Sequence, residues 1–563
     1  MKKIKIIATL LCVVMLFSIA ACNKNNDANT NNNNDASNNN SSSTNDSGTN
    51  TNDNSSTNTN NNSSSNTNDT NTDNSNTDNT GSTSGKDTIN IVFSGDTGTL
   101  DAVNMSGGSA GVPSVYMEPM WRLMEGMEYE WVLATGLDEV SPTQWIIHVR
   151  EGVKFSNGNT LTADDILFTL KLWRDTPNRA LQTQSLDLDN SSVIDDYTLD
   201  LRLTEYNVAQ MPMLSTTLIT DSKTYDPLEA AVNPVGTGPY IVTEYVVNSY
   251  IRLAARDDYW GKKPAIPNMV FRHISEPAQI VNALVTGMVD IATVPSADIE
   301  YIKTLPGYNV YTRPSGTGTM ALFNTDAQSP FHDADARLAV CLAIDRNAIV
   351  NLVYNGYAEV SVMPVSKGNI DFEQRFSNLG DSYSIGYNVD LAKQYADSSG
   401  LTGKDVRVMT NGDPSYVTMA EIIQANLKDI GVSVTILNYD QATLRSLYRT
   451  DPTSYDICLS ASAAPTYMVA DVMYAYVAFS TIISAPGAWD GVEEYMELGS
   501  VALGGATPQI RSDALFEMLK LFTAQNPWFG LCDPVGSSAY SKDLGEIVFN
   551  AYGAVLYQDL SFN

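Results

Sequence analysis

Residues 144–173 constrain this chain most, because their hydrophobic period changes once, at a point that the chemistry explains. Trp145, Ile147 and Val149 alternate with Ile146, His148 and Arg150, and a period of two marks a strand with one packed face. Val153 and Phe155 continue in extended form. Ser156-Asn157-Gly158-Asn159 then supplies residues that tolerate left-handed backbone angles, so the chain turns there. Thr162 caps a helix: its hydroxyl is placed to accept from the Asp165 amide, and the carboxylates of Asp164 and Asp165 sit at the positive helix end. Ile166, Leu170 and Trp173 recur at i, i+4 and i+7 as a buried stripe, until Thr176-Pro177 stops the helix. A strand, a tight turn and a capped helix follow from the residues. A function does not.

The 563 residues are 43% hydrophobic, enough for a large core or for two or three domains. A formal charge of −31 argues against nucleic acid or anionic membrane surfaces as partners and fits a soluble, self-repelling surface. The three histidines, His148, His273 and His332, are isolated, and no Cys-x-x-Cys spacing occurs, so neither a metal nor a cofactor is expected. Cys341, Cys458 and Cys532 lie far apart, so at most one disulfide is possible among them and none can be assigned.

Residues 1–22 read as a secretory leader. Lys2, Lys3 and Lys5 precede an apolar run, Ile6 to Phe17, that is too short for a comfortable membrane span. Ile19-Ala20-Ala21-Cys22 closes the run and resembles a bacterial lipobox, which implies cleavage before Cys22 and acylation of its thiol. Residues 23–86 are almost wholly Asn, Ser, Thr, Asp and Gly, which bury too little apolar area to offset chain entropy. A disordered leash spanning on the order of 45 Å is expected.

The folded body is expected to begin at Asp87, with a strand from Thr88 to Phe93 and a Gly-rich polar run after it. Gly107-Gly108-Ser109-Ala110-Gly111 fits the G-x-S-x-G nucleophile elbow, but the apolar strand before it and the helix after it are missing. A cleft-lining loop is the better reading. Residues 192–203 read as two strands joined at Asp195-Asp196, and Asn233-Pro234-Val235-Gly236-Thr237-Gly238-Pro239 as a tight turn feeding a strand from Tyr240. Asp345 and Arg346 are expected to cap and ion-pair at a helix junction, and Tyr259 and Trp260 to anchor a core. Strand 406–409, helix 416–430 and strand 432–436, with Gly431 as the helix stop, make a βαβ unit and hence a parallel pair. A further strand, 455–460, points its C-terminal end at residues 461–474, where open α/β sheets bind ligands.

Several of these strings resemble one known family. Arg150 to Gly158 and Leu161 to Asp165 match its "Arg-Glu-Gly-Val-Lys-Phe-Ser-x-Gly, Leu-Thr-Ala-Asp-Asp" run, and Pro-Val-Gly-Thr-Gly-Pro-Tyr at 234–240 is another of its signatures. Asp257 to Gly261, the unit ending at Asp290-Ile291-Ala292, Phe331 to Arg346 and Asn526 to Leu531 follow in the family's order. On these motifs the chain is similar to the family 5 extracellular solute-binding proteins, the peptide- and nickel-type receptors of bacterial ABC importers. The resemblance implies a two-lobed α/β fold of the periplasmic-binding-protein type (type II) with an extra small domain. The expected first lobe comprises about 87–120, 216–318 and 533–563, the small insertion domain about 121–215, and the second lobe about 319–532.

It implies no enzyme activity. A monomer would capture a small solute, peptide-like or other, between its lobes and deliver it to a permease and ATPase, held to the outer face of the cell membrane by lipid on Cys22. Expected ligand contacts are Ser106, Ser109 and Tyr116 in the first loop, Ser315, Gly316 and Thr317 at the lobe crossing, and Ser460, Ser462 and Tyr467 in the second lobe. Peptide-binding members place an aspartate just after the strand at 455–460. This chain has Ala463-Ala464-Pro465 there, and its next acid is Asp471. A secreted serine hydrolase using Ser109 and a cell-surface adhesin are the alternatives from other classes.

Overall fold

The computed structural model describes residues 86–563, apart from 94, 97, 106–110, 178, 362, 364, 383–384, 462–467 and 479. The expected leader, Cys22 and all but the last residue of the polar tract lie outside the described residues.

Strand β1 (Thr88–Phe93) alternates as its sequence requires, with Ile89, Ile91 and Phe93 buried. The chain then builds two small sheets. Strands β2 (Trp121–Met124) and β3 (Glu128–Trp131) pair as a hairpin, and β4 (Ala134–Ser141), β5 (Gln144–Val149), β6 (Ser192–Asp195) and β7 (Thr198–Arg202) form a sheet in the order β4-β5-β7-β6. Trp145, Ile147 and Val149 of β5 point inward, against Phe155 and Leu161 and against Ile166 and Leu170 of the helix Ala163–Asp175. Each such side chain contributes roughly 1.5–3 kcal/mol by leaving water. The turn between them places Gly158 at φ 91°. The cap is the expected reciprocal box: the Thr162 side chain accepts from the Asp165 amide, and the Asp165 side chain accepts from the Thr162 amide. The Thr162 amide donates to the Asp165 carboxylate at 2.8 Å and the Thr162 hydroxyl donates to it at 3.1 Å. The other oxygen of that buried carboxylate accepts from Ser222, so Asp165 ties the helix start to a distant loop.

The large sheet has 12 strands. On one side, β8 (Tyr240–Val246), β9 (Tyr250–Ala255) and β10 (Asn268–His273) continue through β1 to β11 (Ile291–Thr293). Strand β12 (Tyr308–Pro314) is followed across a short turn by β13 (Thr319–Phe323), which belongs to the other side with β14 (Ala358–Val360), β15 (Asp405–Thr410), β16 (Ser433–Asn438) and β17 (Ile457–Ala461). Strands β15 and β16 are parallel across the helix Pro414–Asp429, and Gly431 at φ 76° ends that helix as its position predicted. One long strand, β18 (Trp528–Ser541), serves both halves: its first residues pair with β13 and β14, and its later ones with β11 and β12.

The Gly/Pro-dense turn before β8 has a packing reason. A Cβ on Gly236 would lie 2.0 Å from the Tyr116 carbonyl oxygen, and one on Gly238 2.6 Å from the Tyr116 carbonyl carbon. Only glycine lets these two backbones touch. Asp345 caps its helix through the Ala348 amide at 3.1 Å. Arg346 makes no ion pair with it. Its guanidinium donates to the carbonyls of Ser361, Gly530 and Ile385 and stacks on Phe529, because those carbonyls converge where the carboxylate does not reach. Cys341, Cys458 and Cys532 are buried free thiols.

Candidate functional site

The chain passes between the two halves of the large sheet at residues 314–319 and again within β18. Two adjacent crossings form a narrow neck, and the walls beside such a neck are where a ligand meets both halves. Expected residues Ser315, Gly316 and Thr317 sit on the first crossing. The Ser315 hydroxyl donates to the Thr317 carbonyl at 2.9 Å and accepts from the Thr317 amide at 3.2 Å, so the turn supports itself. Gly316 has φ 72°, and a Cβ added to Gly368 would meet its nitrogen at 2.5 Å. The crossing therefore lies backbone to backbone against the loop after β14.

That loop lines the site. A cavity of about 180 Å³ opens between Thr312 and Pro314 of β12 and Ser366 and Lys367 of the loop, with Glu359 and Asp533 completing its wall. Lys367 pairs with Glu359 at 2.8 Å. Asp533 accepts from the Ser361 hydroxyl at 2.6 Å, yet burial outweighs this bond and pushes its carboxyl up to about 6.

Farther along the loop, Asp371 accepts from the Val469 amide at 2.6 Å and so caps the helix Val469–Ala478, directly beyond the end of β17. It keeps some contact with water but is surrounded by protein, and burial raises it to about 6 against three backbone hydrogen bonds. Asp471, two residues after that cap, is 2% exposed. Burial and then the like charge of Asp371 push it up to about 7, and among the described residues it has no hydrogen-bond donor and no cation partner. Two adjacent carboxyls with one set of donors hold a proton or call for a cation. Next to them, Ile370 and Met468 pack against Val208, Ala209 and Met213 of the segment that follows β7.

Of the remaining expected residues, Tyr116 is 2% exposed in the first-half core, and its hydroxyl donates to the Leu100 carbonyl at 2.7 Å. That is the placement of a core residue, fixed by the same contact that Gly236 and Gly238 require. Ser460 lies in β17 opposite Met320, its hydroxyl donating weakly to the Ala461 carbonyl at 3.3 Å. Ser106, Ser109, Ser462 and Tyr467 lie outside the described residues. Asp371 and Lys367 escape a motif search, because the stretch directly after β14, residues 361–373, carries no periodic signal. The one hint was Ser366-Lys367-Gly368-Asn369, a turn-forming string with a charge in it.

Known proteins share this architecture. The B. subtilis oligopeptide-binding protein AppA, solved with a nonapeptide, superposes with a TM-score of 0.70 at 18% identity, covering 84% of this chain and 99% of that one. NikA from Brucella suis, solved with Fe(III)-EDTA, superposes with a TM-score of 0.73 at 17% identity, covering 84% and 100%. The two-lobed periplasmic-binding-protein fold is thus the fold of this chain. In sequence, the probable ABC transporter periplasmic-binding protein SapA of Escherichia coli K12 is 24% identical over 474 residues, 77% of this chain and 83% of that protein. The nickel-binding periplasmic protein of the same organism is 26% identical over 366 residues, 60% of this chain and 68% of that protein. The profile described as "Bacterial extracellular solute-binding proteins, family 5 Middle" matches residues 128–483, more than half of the sequence. This chain belongs to the family 5 bacterial extracellular solute-binding proteins.

Proposed function

We propose that this protein is the extracytoplasmic receptor of an ABC importer, a monomer that captures a small solute between its lobes and presents the closed form to a permease and its ATPase. The observation that carries this reading is the neck. One strand, β18, and one turn, 314–319, join the two halves of the sheet beside a cavity. Closure about such a neck follows differential affinity: contacts made only when the lobes meet shift the open–closed equilibrium. Names of related proteins, one nickel-binding and one solved with a nonapeptide, bracket the ligand class without fixing it. Asp371 and Asp471 support a solute that presents a cationic or strongly donating group.

On this reading the leader is cut off before Cys22, lipid on that residue anchors the protein to the outer face of the cell membrane, and residues 23–86 form the leash. Cys22→Ser is expected to release the protein into the medium. Mass spectrometry of solute co-purifying with the mature chain, paired with solute-dependent melting shifts, tests the receptor reading. Ester or peptide turnover abolished by Ser109→Ala overturns it.

A further inference from the structure

The segment after β7 reaches across to the second half of the molecule. Asn207 shapes it: its side chain accepts from the Ala209 amide at 2.9 Å and donates to Ser185 at 3.0 Å, which presents Tyr206 and Val208 outward. The Val208 amide donates to the Leu503 carbonyl at 3.1 Å. Leu503 lies in the last turn of the helix Val492–Gly504, where carbonyls lack partners within the helix, so the contact satisfies an acceptor that would otherwise depend on water. Arg511, from the next helix, donates to the Gly505 carbonyl at 2.8 Å and lays its guanidinium 5.3 Å from the centre of the Tyr206 ring. A Cβ on Gly504 would stand 3.3 Å from the Tyr206 carbonyl oxygen, so a glycine here permits the approach. Beside these polar contacts, Val208, Ala209 and Met213 meet Ile370 and Met468. Among the described residues no β-ladder joins the small four-stranded sheet to the large one, and this seam holds by side chains and the Val208 amide.

We propose that this seam is the closing latch of the receptor: the small domain, through Tyr206–Met213, docks on the helix end at Leu503–Arg511 and on Met468 and thereby sets how much of the ligand-free protein is closed. The proposal rests on the receptor reading above, and it adds that affinity is tuned at a place remote from the ligand. Because the contacts are a cation–π pair, a backbone hydrogen bond and an apolar patch, with no salt bridge among them, closure at the seam responds little to salt.

The test needs no ligand. Fluorophores on Glu205→Cys and Gln509→Cys, both exposed positions flanking the seam, report its width in the full chain. A short, narrow distance distribution is expected. Arg511→Ala is expected to lower the closed fraction relative to the open one roughly threefold. Gly504→Ala suits a helix better than glycine does, yet it wedges Tyr206 away, so it is expected to widen the seam without lowering the melting temperature. A wide distribution in the unmodified seam overturns the latch, and so does an unchanged one in both variants. Either result leaves the receptor reading to its own test, the co-purifying solute.

Discussion

Two buried carboxyl sites differ in what surrounds them. Glu118, fully buried, accepts from the Tyr259 hydroxyl at 2.7 Å and the Trp260 indole at 2.9 Å, with the Arg122 guanidinium 3.7 Å away. Burial raises its pKa, but Arg122 and both hydrogen bonds pull against the rise. Asp471 is equally enclosed and, among the described residues, has no donor, only the neighbouring charge of Asp371. The first site is complete as folded and holds elements together. The second is incomplete, which is the condition of a group that waits for a proton or a ligand.

The comparison breaks most sharply at Glu118. Glu118→Ala strands the Tyr259 hydroxyl, the Trp260 N–H and Arg122, and an unfolding loss of about 3–5 kcal/mol is expected from chemical denaturation. A loss under about 1 kcal/mol would show that the two sites do not differ as described.

Next in size is a pH effect. Asp471, Asp371 and Asp533 have folded pKa values of about 7, 6 and 6, above the ordinary aspartate value. Between those limits the folded chain binds more protons than the unfolded one, so these groups stabilise it at low pH and that contribution is lost as pH rises from about 4 to about 7. Ligand-free protein is expected to lose stability steadily across that window through these groups, and Asp471→Asn to flatten the slope. An unchanged slope in the variant would place Asp471 in water.

Asp471→Asn also separates stability from binding. Removing an uncompensated charge is expected to leave the protein at pH 8 as stable or about 1 kcal/mol more so, while solute affinity falls about tenfold or more. Loss of stability with affinity intact would make Asp471 a second Glu118. Smallest is Ser361→Ala, which removes one hydrogen bond from Asp533 and is expected to cost about 1–2 kcal/mol and to raise the Asp533 pKa further.

The scaffold was largely legible in the sequence. Residues 144–173 announce a strand and a capped helix, since periodicity and capping act locally, and both form. The βαβ unit around Gly431 was equally readable. Tyr259 and Trp260 were readable as anchors, but their partner Glu118 was not, because the pairing spans more than a hundred residues and leaves no pattern. The candidate site was less legible for the same reason. Tyr116 lies in a polar, Gly-rich neighbourhood that reads as a loop, whereas its burial comes from Gly236 and Gly238 far along the chain. Asp371 and Asp471 are a hundred residues apart and become neighbours only when one caps the helix carrying the other.

Native mass spectrometry of the purified mature chain, alone and as the Asp371→Asn, Asp471→Asn double variant, tests the central claim most directly. The account predicts a small solute bound to the unmodified chain and absent from the double variant, which stays folded. A bare mass in the unmodified chain, with no melting shift when a small-molecule extract of its own culture is added back, would contradict it.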